Sequence, residues 1–287
     1  MSGKSIIGEN KGKKGIGGQI ASFFKKETVL CLAAAVAGVS MFFVPPDRAY
    51  LEYPDFRVLA LLFCLMLVVA GLQSVGLFRY LGFRLLGGMR STRQLSLLLV
   101  ALCFFSSMII TNDVALITFV PFAVMVLKLA DQGELLIPVV VLQTVAANLG
   151  SMLTPIGNPQ NLYLYSAFDL SMGSFLGIMF PLALLSMVLL GAAVFLRGSK
   201  PLTVGDMGEV KAPPKGRLLA YIGLFLVCLG CVVRLLPWQA MLGVLILAVL
   251  CIDRKLFWGV DYFLLLTFLC FFLFIGNMER IPLIADF

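Results

Sequence analysis

The chain of 287 residues is 61% hydrophobic and only 13% charged, with a mean hydropathy of +1.03, whereas soluble domains average about 25% charged residues. That balance excludes an ordinary soluble domain, and the lack of any histidine speaks against zinc sites and His-dependent catalysis. The formal net charge of +7 is not gathered into a basic groove interleaved with aromatics, so it points to membrane topology and not to nucleic acid.

Residues 1–27 form a basic tail rich in lysine and glycine, suited to the anionic cytoplasmic leaflet. Thr28 to Val44 is a first apolar span, and Phe56 to Leu77 a second one beyond a proline-containing link. Arg79, Arg84, Arg90 and Arg93 then punctuate an apolar stretch as in a helix lying at the interface. Residues 95–129 are too long for one crossing and hold Thr111, Asn112 and Asp113 in the middle, which predicts a re-entrant helical hairpin. Residues 134–166 predict a broken helix, because Asn148, Gly150, Ser151, Thr154, Pro155, Gly157, Asn158, Pro159, Gln160 and Asn161 lie where hydrocarbon would be. Non-helical backbone survives at that depth only when it is buried in protein or lines a cavity. Met172 to Leu196 returns, residues 197–217 form a cytoplasmic linker, and spans at Leu218 to Val233, Trp238 to Cys251 and Asp261 to Met278 follow.

This layout places only Arg48, Arg57, Arg234 and Arg280 outside and every other Lys and Arg inside, as the positive-inside rule requires. The expectation is a multi-pass protein of the plasma membrane with a cytoplasmic N-terminus. Residues 28–196 read as one repeat. Residues 218–287 read as the start of a second, because PDFRVLALLFCLMLVVAGLQ (54–73) and VDYFLLLTFLCFFLFIGNME (260–279) share an Asp-aromatic opening and a Cys nine positions on. The two run in opposite directions, as in an inverted repeat. A second hairpin and a second broken helix would be needed to complete it, so the chain reads as C-terminally incomplete.

Half-helices starting at the hairpin tip and at the break would aim free N–H groups at a bound anion, while unwound carbonyls and Asn amides coordinate a small cation. Asp113, the one acid well inside an apolar run, binds sodium, carries a proton, or serves the N-terminus of the second hairpin arm. The seven cysteines lie in or beside apolar runs and read as packing residues. An aspartyl protease would need a second intramembrane acid, so no enzyme is expected.

TNDVALITFVPFAV (111–124) followed by ANLGSMLTPIGNPQN (147–161) resembles the ion transporter superfamily, in its arsenite permease and citrate transporter-like branch, related to the divalent anion/sodium symporters. The resemblance implies an all-α polytopic, inverted-repeat secondary carrier working by alternating access, often as a homodimer. It also implies a substrate and cation site at Thr111, Asn112 and Asp113 with Asn148, Gly150, Ser151, Thr154, Gly157, Asn158, Pro159 and Asn161. Sodium would sit at Asn112, Asp113, Asn148 and Asn158, and sodium or a proton would be the coupling ion with no other cofactor. Carboxylate carriers typically present Ser-Asn-Thr at the hairpin tip. Thr-Asn-Asp here turns the expectation from citrate toward an arsenite-like species or a cation, and leaves a sodium/proton exchanger or a non-transporting membrane scaffold as alternatives.

Overall fold

The computed structural model describes residues 27–86, 89–201 and 212–281. Of the expected cytoplasmic tail, 1–27, all but Glu27 lies outside the described residues, as does the middle of the linker, 202–211. The α-helices are α1 (Thr28–Phe43), α2 (Phe56–Ser74), α3 (Leu77–Leu86), α4 (Thr92–Ser107), α5 (Asn112–Leu129), α6 (Leu136–Ser151), α7 (Pro159–Ala167), α8 (Met172–Phe195), α9 (Lys215–Val232), α10 (Trp238–Ile252) and α11 (Tyr262–Glu279). Among the described residues there is no strand, and 6 helical segments are long and apolar enough to cross a bilayer. The protein is therefore an all-α polytopic membrane protein. α8 has exposed Ile178, Phe180, Leu182, Leu185, Val188 and Leu189, an apolar surface that only lipid or another apolar partner can cover.

Two compact units are formed. One holds α1 and α11, and the other runs from Phe56 to Val260. In the first, α1 packs on α11, and buried Asn277 donates Nδ2–H to Ser40 Oγ at 2.8 Å. In the second, α2 packs on α9 and α10, with Cys64, Cys228 and Cys231 buried.

The two stretches compared in the sequence have similar local features around them. Asp47 starts a 3₁₀ turn by accepting from Ala49 N at 3.0 Å, and Asp253 starts another by accepting from Lys255 N at 3.0 Å. Each Asp is followed by an Arg, and each turn leads to a helix preceded by an Asp, Asp55 before α2 and Asp261 before α11. Both second helices also seat a tyrosine ring on a glycine. An added Cβ would come within 2.4 Å of the Tyr53 ring at Gly276 and 2.5 Å of the Tyr221 ring at Gly71. The two stretches thus share a capped 3₁₀ turn before the helix and a tyrosine ring against a glycine within it.

Polar contacts between chain segments sort the helix ends within the Phe56–Val260 unit into two groups. Lys200 Nζ meets Glu134 Oε2 at 3.0 Å, Arg93 Nη2 donates to Arg197 O at 3.3 Å, and Thr92 N donates to Lys200 O at 3.0 Å. These join the start of α4, the approach to α6 and the segment after α8. Arg57 Nη2 donates to Cys231 O at 3.0 Å, and Arg234 pairs with Asp169. These join the start of α2, the end of α7 and the end of α9.

Candidate functional site at the hairpin tip and the helix break

α4 and α5 form a helical hairpin whose turn is Met108–Thr111. Gln143 of α6, fully buried, donates its amide to Leu99 O at 3.1 Å in one arm and to Phe119 O at 3.3 Å in the other. One side chain thereby ties both arms to the broken helix. Gln143 was not among the residues singled out from the sequence. A primary amide in an otherwise apolar turn was the available signal, since such a group must find partners when buried.

α4 and α6 approach closely at Gly150. A Cβ there would lie 2.1 Å from Phe104 O and 2.7 Å from Ser107 Oγ. Ser107 itself bonds back to Phe104 O at 2.9 Å, so it does not link helices. Thr118 does, accepting from Gln73 Nε2 at 3.3 Å.

The break spans Met152–Asn158, between α6 and α7. Asn158 is extended and caps α7, its Oδ1 accepting from Asn161 N at 2.8 Å. Pro159 is the first residue of α7, where a missing N–H leaves no helical bond unmade. It therefore starts a half-helix, and the opening of the break falls to Pro155 and its neighbours. Asn161 directs its amide at the carbonyls of Ser151, Met152 and Thr154, at 3.2, 2.9 and 3.1 Å. The first two are acceptors that the end of α6 leaves without helical donors, while Thr154 O, in the break, also accepts from Gly157 N at 3.3 Å. Gly157 is equally constrained, since a Cβ would fall 2.1 Å from Ser151 O.

Tip and break meet directly. Asn112 N, in the first turn of α5, donates to Gly157 O at 3.2 Å, and Thr154 Oγ1 donates to Met108 O. Asn112 Nδ2 reaches Asn148 Oδ1 at 3.3 Å, and Asn148 Nδ2 donates to Thr144 O at 2.9 Å. The N-termini of α5 and α7 are therefore brought together across a single hydrogen bond. Thr111 is extended at the start of α5 and its side chain makes no capping bond there. Asp113 lies in the first turn of that helix and is exposed, where its charge is favourable to the helix dipole.

The eleven residues singled out from the sequence so divide by environment. Asp113 and Asn148 are exposed, and Thr111, Asn112, Thr154 and Asn158 are half-buried. Gly150, Ser151, Gly157, Pro159 and Asn161 are buried in the seam that holds tip and break together.

Residues 16–285 match the model of the family described as citrate transporter. Curated relatives include the inner membrane protein YbiR of Escherichia coli, 31% identical over 84% of this chain and 64% of that protein. The uncharacterized transporter MJ0456 of Methanocaldococcus jannaschii is 30% identical over 81% of this chain and 63% of its own length. The silicon efflux transporter LSI3 of rice is 34% identical over 52% of this chain and 30% of its own. The chain thus spans slightly less than two thirds of the first two relatives. With the family match running almost end to end, the chain belongs to the citrate transporter family.

Proposed function

We propose that the protein is a secondary transporter that moves a small hydroxylated oxyacid with a cation or proton by alternating access. The observation that carries this reading is the bond from Asn112 N to Gly157 O, which brings two half-helix N-termini together beside exposed Asp113 and Asn148. Each helix end is equivalent to roughly +0.5 charge, so the two together about offset one ionised Asp113. A multiply charged carboxylate would then lack a countercharge in this half. An uncharged oxyacid of the arsenite or silicic type fits better, its hydroxyls facing the amides of Asn112, Asn148 and Asn158 and the carboxylate of Asp113. The silicon named for the rice relative agrees in chemistry with such a solute. In this reading sodium or a proton is taken by Asp113 with Asn112, Asn148 and Asn158. Gly150, Ser151, Thr154, Gly157, Pro159 and Asn161 hold the geometry.

Uptake or efflux of arsenite, silicic acid and citrate by liposomes containing the protein, with sodium or pH gradients imposed, tests it. Saturable, gradient-dependent flux of an uncharged oxyacid is expected, and Asp113→Asn should abolish the gradient dependence. Citrate as the preferred solute would overturn the charge argument. The absence of saturable flux for all three solutes would favour a membrane scaffold instead.

A further inference from the structure

Two helices in the Phe56–Val260 unit end in the same way and are joined where they end. At the end of α7, Leu170 N donates to Tyr165 O and Asp169 N to Ser166 O, both at 3.1 Å. At the end of α9, Leu235 N donates to Gly230 O at 2.8 Å and Arg234 N to Cys231 O at 3.1 Å. Each pattern puts the residue past the helix into the left-handed region, Asp169 at a φ of +48° and Arg234 at +67°, a position that glycine fills most readily. Aspartate tolerates that region better than arginine, whose Cβ crowds the following carbonyl. Arg234 is therefore unfavourable for its backbone. Asp169 is unfavourable for its charge, because an acid at a helix C-terminus faces the negative end of the dipole. Their side chains account for both choices. Arg234 pairs with Asp169 and lays its guanidinium over the ring of Tyr165 in α7, 5.6 Å from the centroid.

The pair links parts with different duties. α7 begins at the break and is held to it by Asn158 and Asn161, whereas α9 packs on α2 and α10. The side chains of Asp169 and Arg234 are 84% and 35% exposed, so water screens the attraction, and pairs of this kind shift an equilibrium by about fivefold at most. A tie that weak adds little to a fold held by buried apolar surface. It suffices to bias two arrangements of α7 that lie close in free energy.

We propose that Asp169 and Arg234 form a releasable latch that holds α7, and with it the break, against α9. Its release as a step in changing access to the site rests on the alternating-access reading above. Hydrogen exchange of the purified full chain, read at residues 159–170 without any solute, tests the latch. Asp169→Asn and Arg234→Gln should each speed exchange there by about two- to fivefold, the two together no more than either alone, and the exchanged pair Asp169→Arg with Arg234→Asp should recover most of the protection. Arg234→Gly separates the latch from a backbone role: glycine suits the left-handed end of α9, yet α7 should still exchange faster. Asp131→Gly, the same kind of change at the left-handed end of α5 (φ +53°), should leave α7 unchanged. Unaltered α7 exchange in both single variants, slower α7 exchange in Arg234→Gly, or an equal acceleration in α4 and α5 would each overturn the latch. Flux into liposomes is scored separately. A parent that carries no solute refutes the transport reading while the exchange result stands, whereas variants that exchange faster but carry solute at the parent's rate would overturn the latch's part in access.

Discussion

Gly150→Ala puts the seam between hairpin and broken helix to a quantitative test. In an exposed helix interior this change would stabilise by about 0.5–1 kcal/mol, because alanine loses less backbone entropy. Here the new Cβ would meet Phe104 O at 2.1 Å and Phe104 C at 2.8 Å. These are backbone atoms of α4 and cannot rotate away. Relief to an ordinary contact moves one helix by about 1 Å, a strain of roughly 1–3 kcal/mol. The same shift stretches the bonds from Asn112 to Gly157 O and Asn148 Oδ1, at 3.2 and 3.3 Å, past hydrogen-bonding range, at about 1 kcal/mol each. The clash therefore outweighs the propensity gain, for a net loss of roughly 2–4 kcal/mol. Thermal unfolding in detergent should show Tm lowered by about 5–15 °C, at roughly 2–4 °C per kcal/mol for a chain of this size class. A variant whose Tm equals or exceeds that of the parent would refute the close approach and the reasoning built on it.

Gln143→Leu removes the amide that ties the two hairpin arms, and also the Oε1 that finds no hydrogen-bond partner among the described residues. The loss should be limited to about 1–2 kcal/mol, and hydrogen exchange should quicken in α4 and α5 ahead of α9 and α10. Asn161→Ala removes the amide shared by three carbonyls at the break, of which Thr154 O keeps its bond from Gly157 N, and should destabilise by about 1–3 kcal/mol; Asn161→Asp, which sets a carboxylate against those oxygens, should be worse, and a milder effect in a thermal melt would contradict the assignment. Asp47 hydrogen-bonds Arg280 at 2.7 and 3.0 Å, and the guanidinium holds its carboxyl below the usual carboxylate range. A lowered native pKa means the contribution is complete above the unfolded value of about 3.9 and fades as pH falls through the native one. Exchange of the amides of residues 48–51 should therefore accelerate below about pH 4, and Arg280→Gln should remove that dependence.

Much of the architecture was legible because a bilayer leaves few choices. The apolar runs, the double-length 95–129 segment and the polar interruption of 134–166 correspond to α1, α2, the α4–α5 hairpin and the α6–α7 break. Backbone groups in hydrocarbon must bond internally, so polar and helix-breaking residues at that depth mark where a helix stops. The sequence likeness of 54–73 and 260–279 rests on one aromatic, one Asp and one Cys. The Asp-Arg pairs that open a 3₁₀ turn at 47–48 and 253–254 are local capping chemistry recognised once both turns are in view.

Composition and order along the chain determined the fold class, the family, the spans and the place where the polar groups gather. Tertiary structure alone decided what each polar group does there. Asn148 and Asn161 look alike in the sequence, yet Asn148 is exposed beside Asn112 while Asn161 is buried against three carbonyls. Gly150 and Gly157 both permit close approach, but one meets the backbone of α4 and the other that of its own break. The reason is physical. Spacing along a chain fixes which groups must find partners, whereas packing between helices fixes which partners remain and which lone pairs are left to face a ligand.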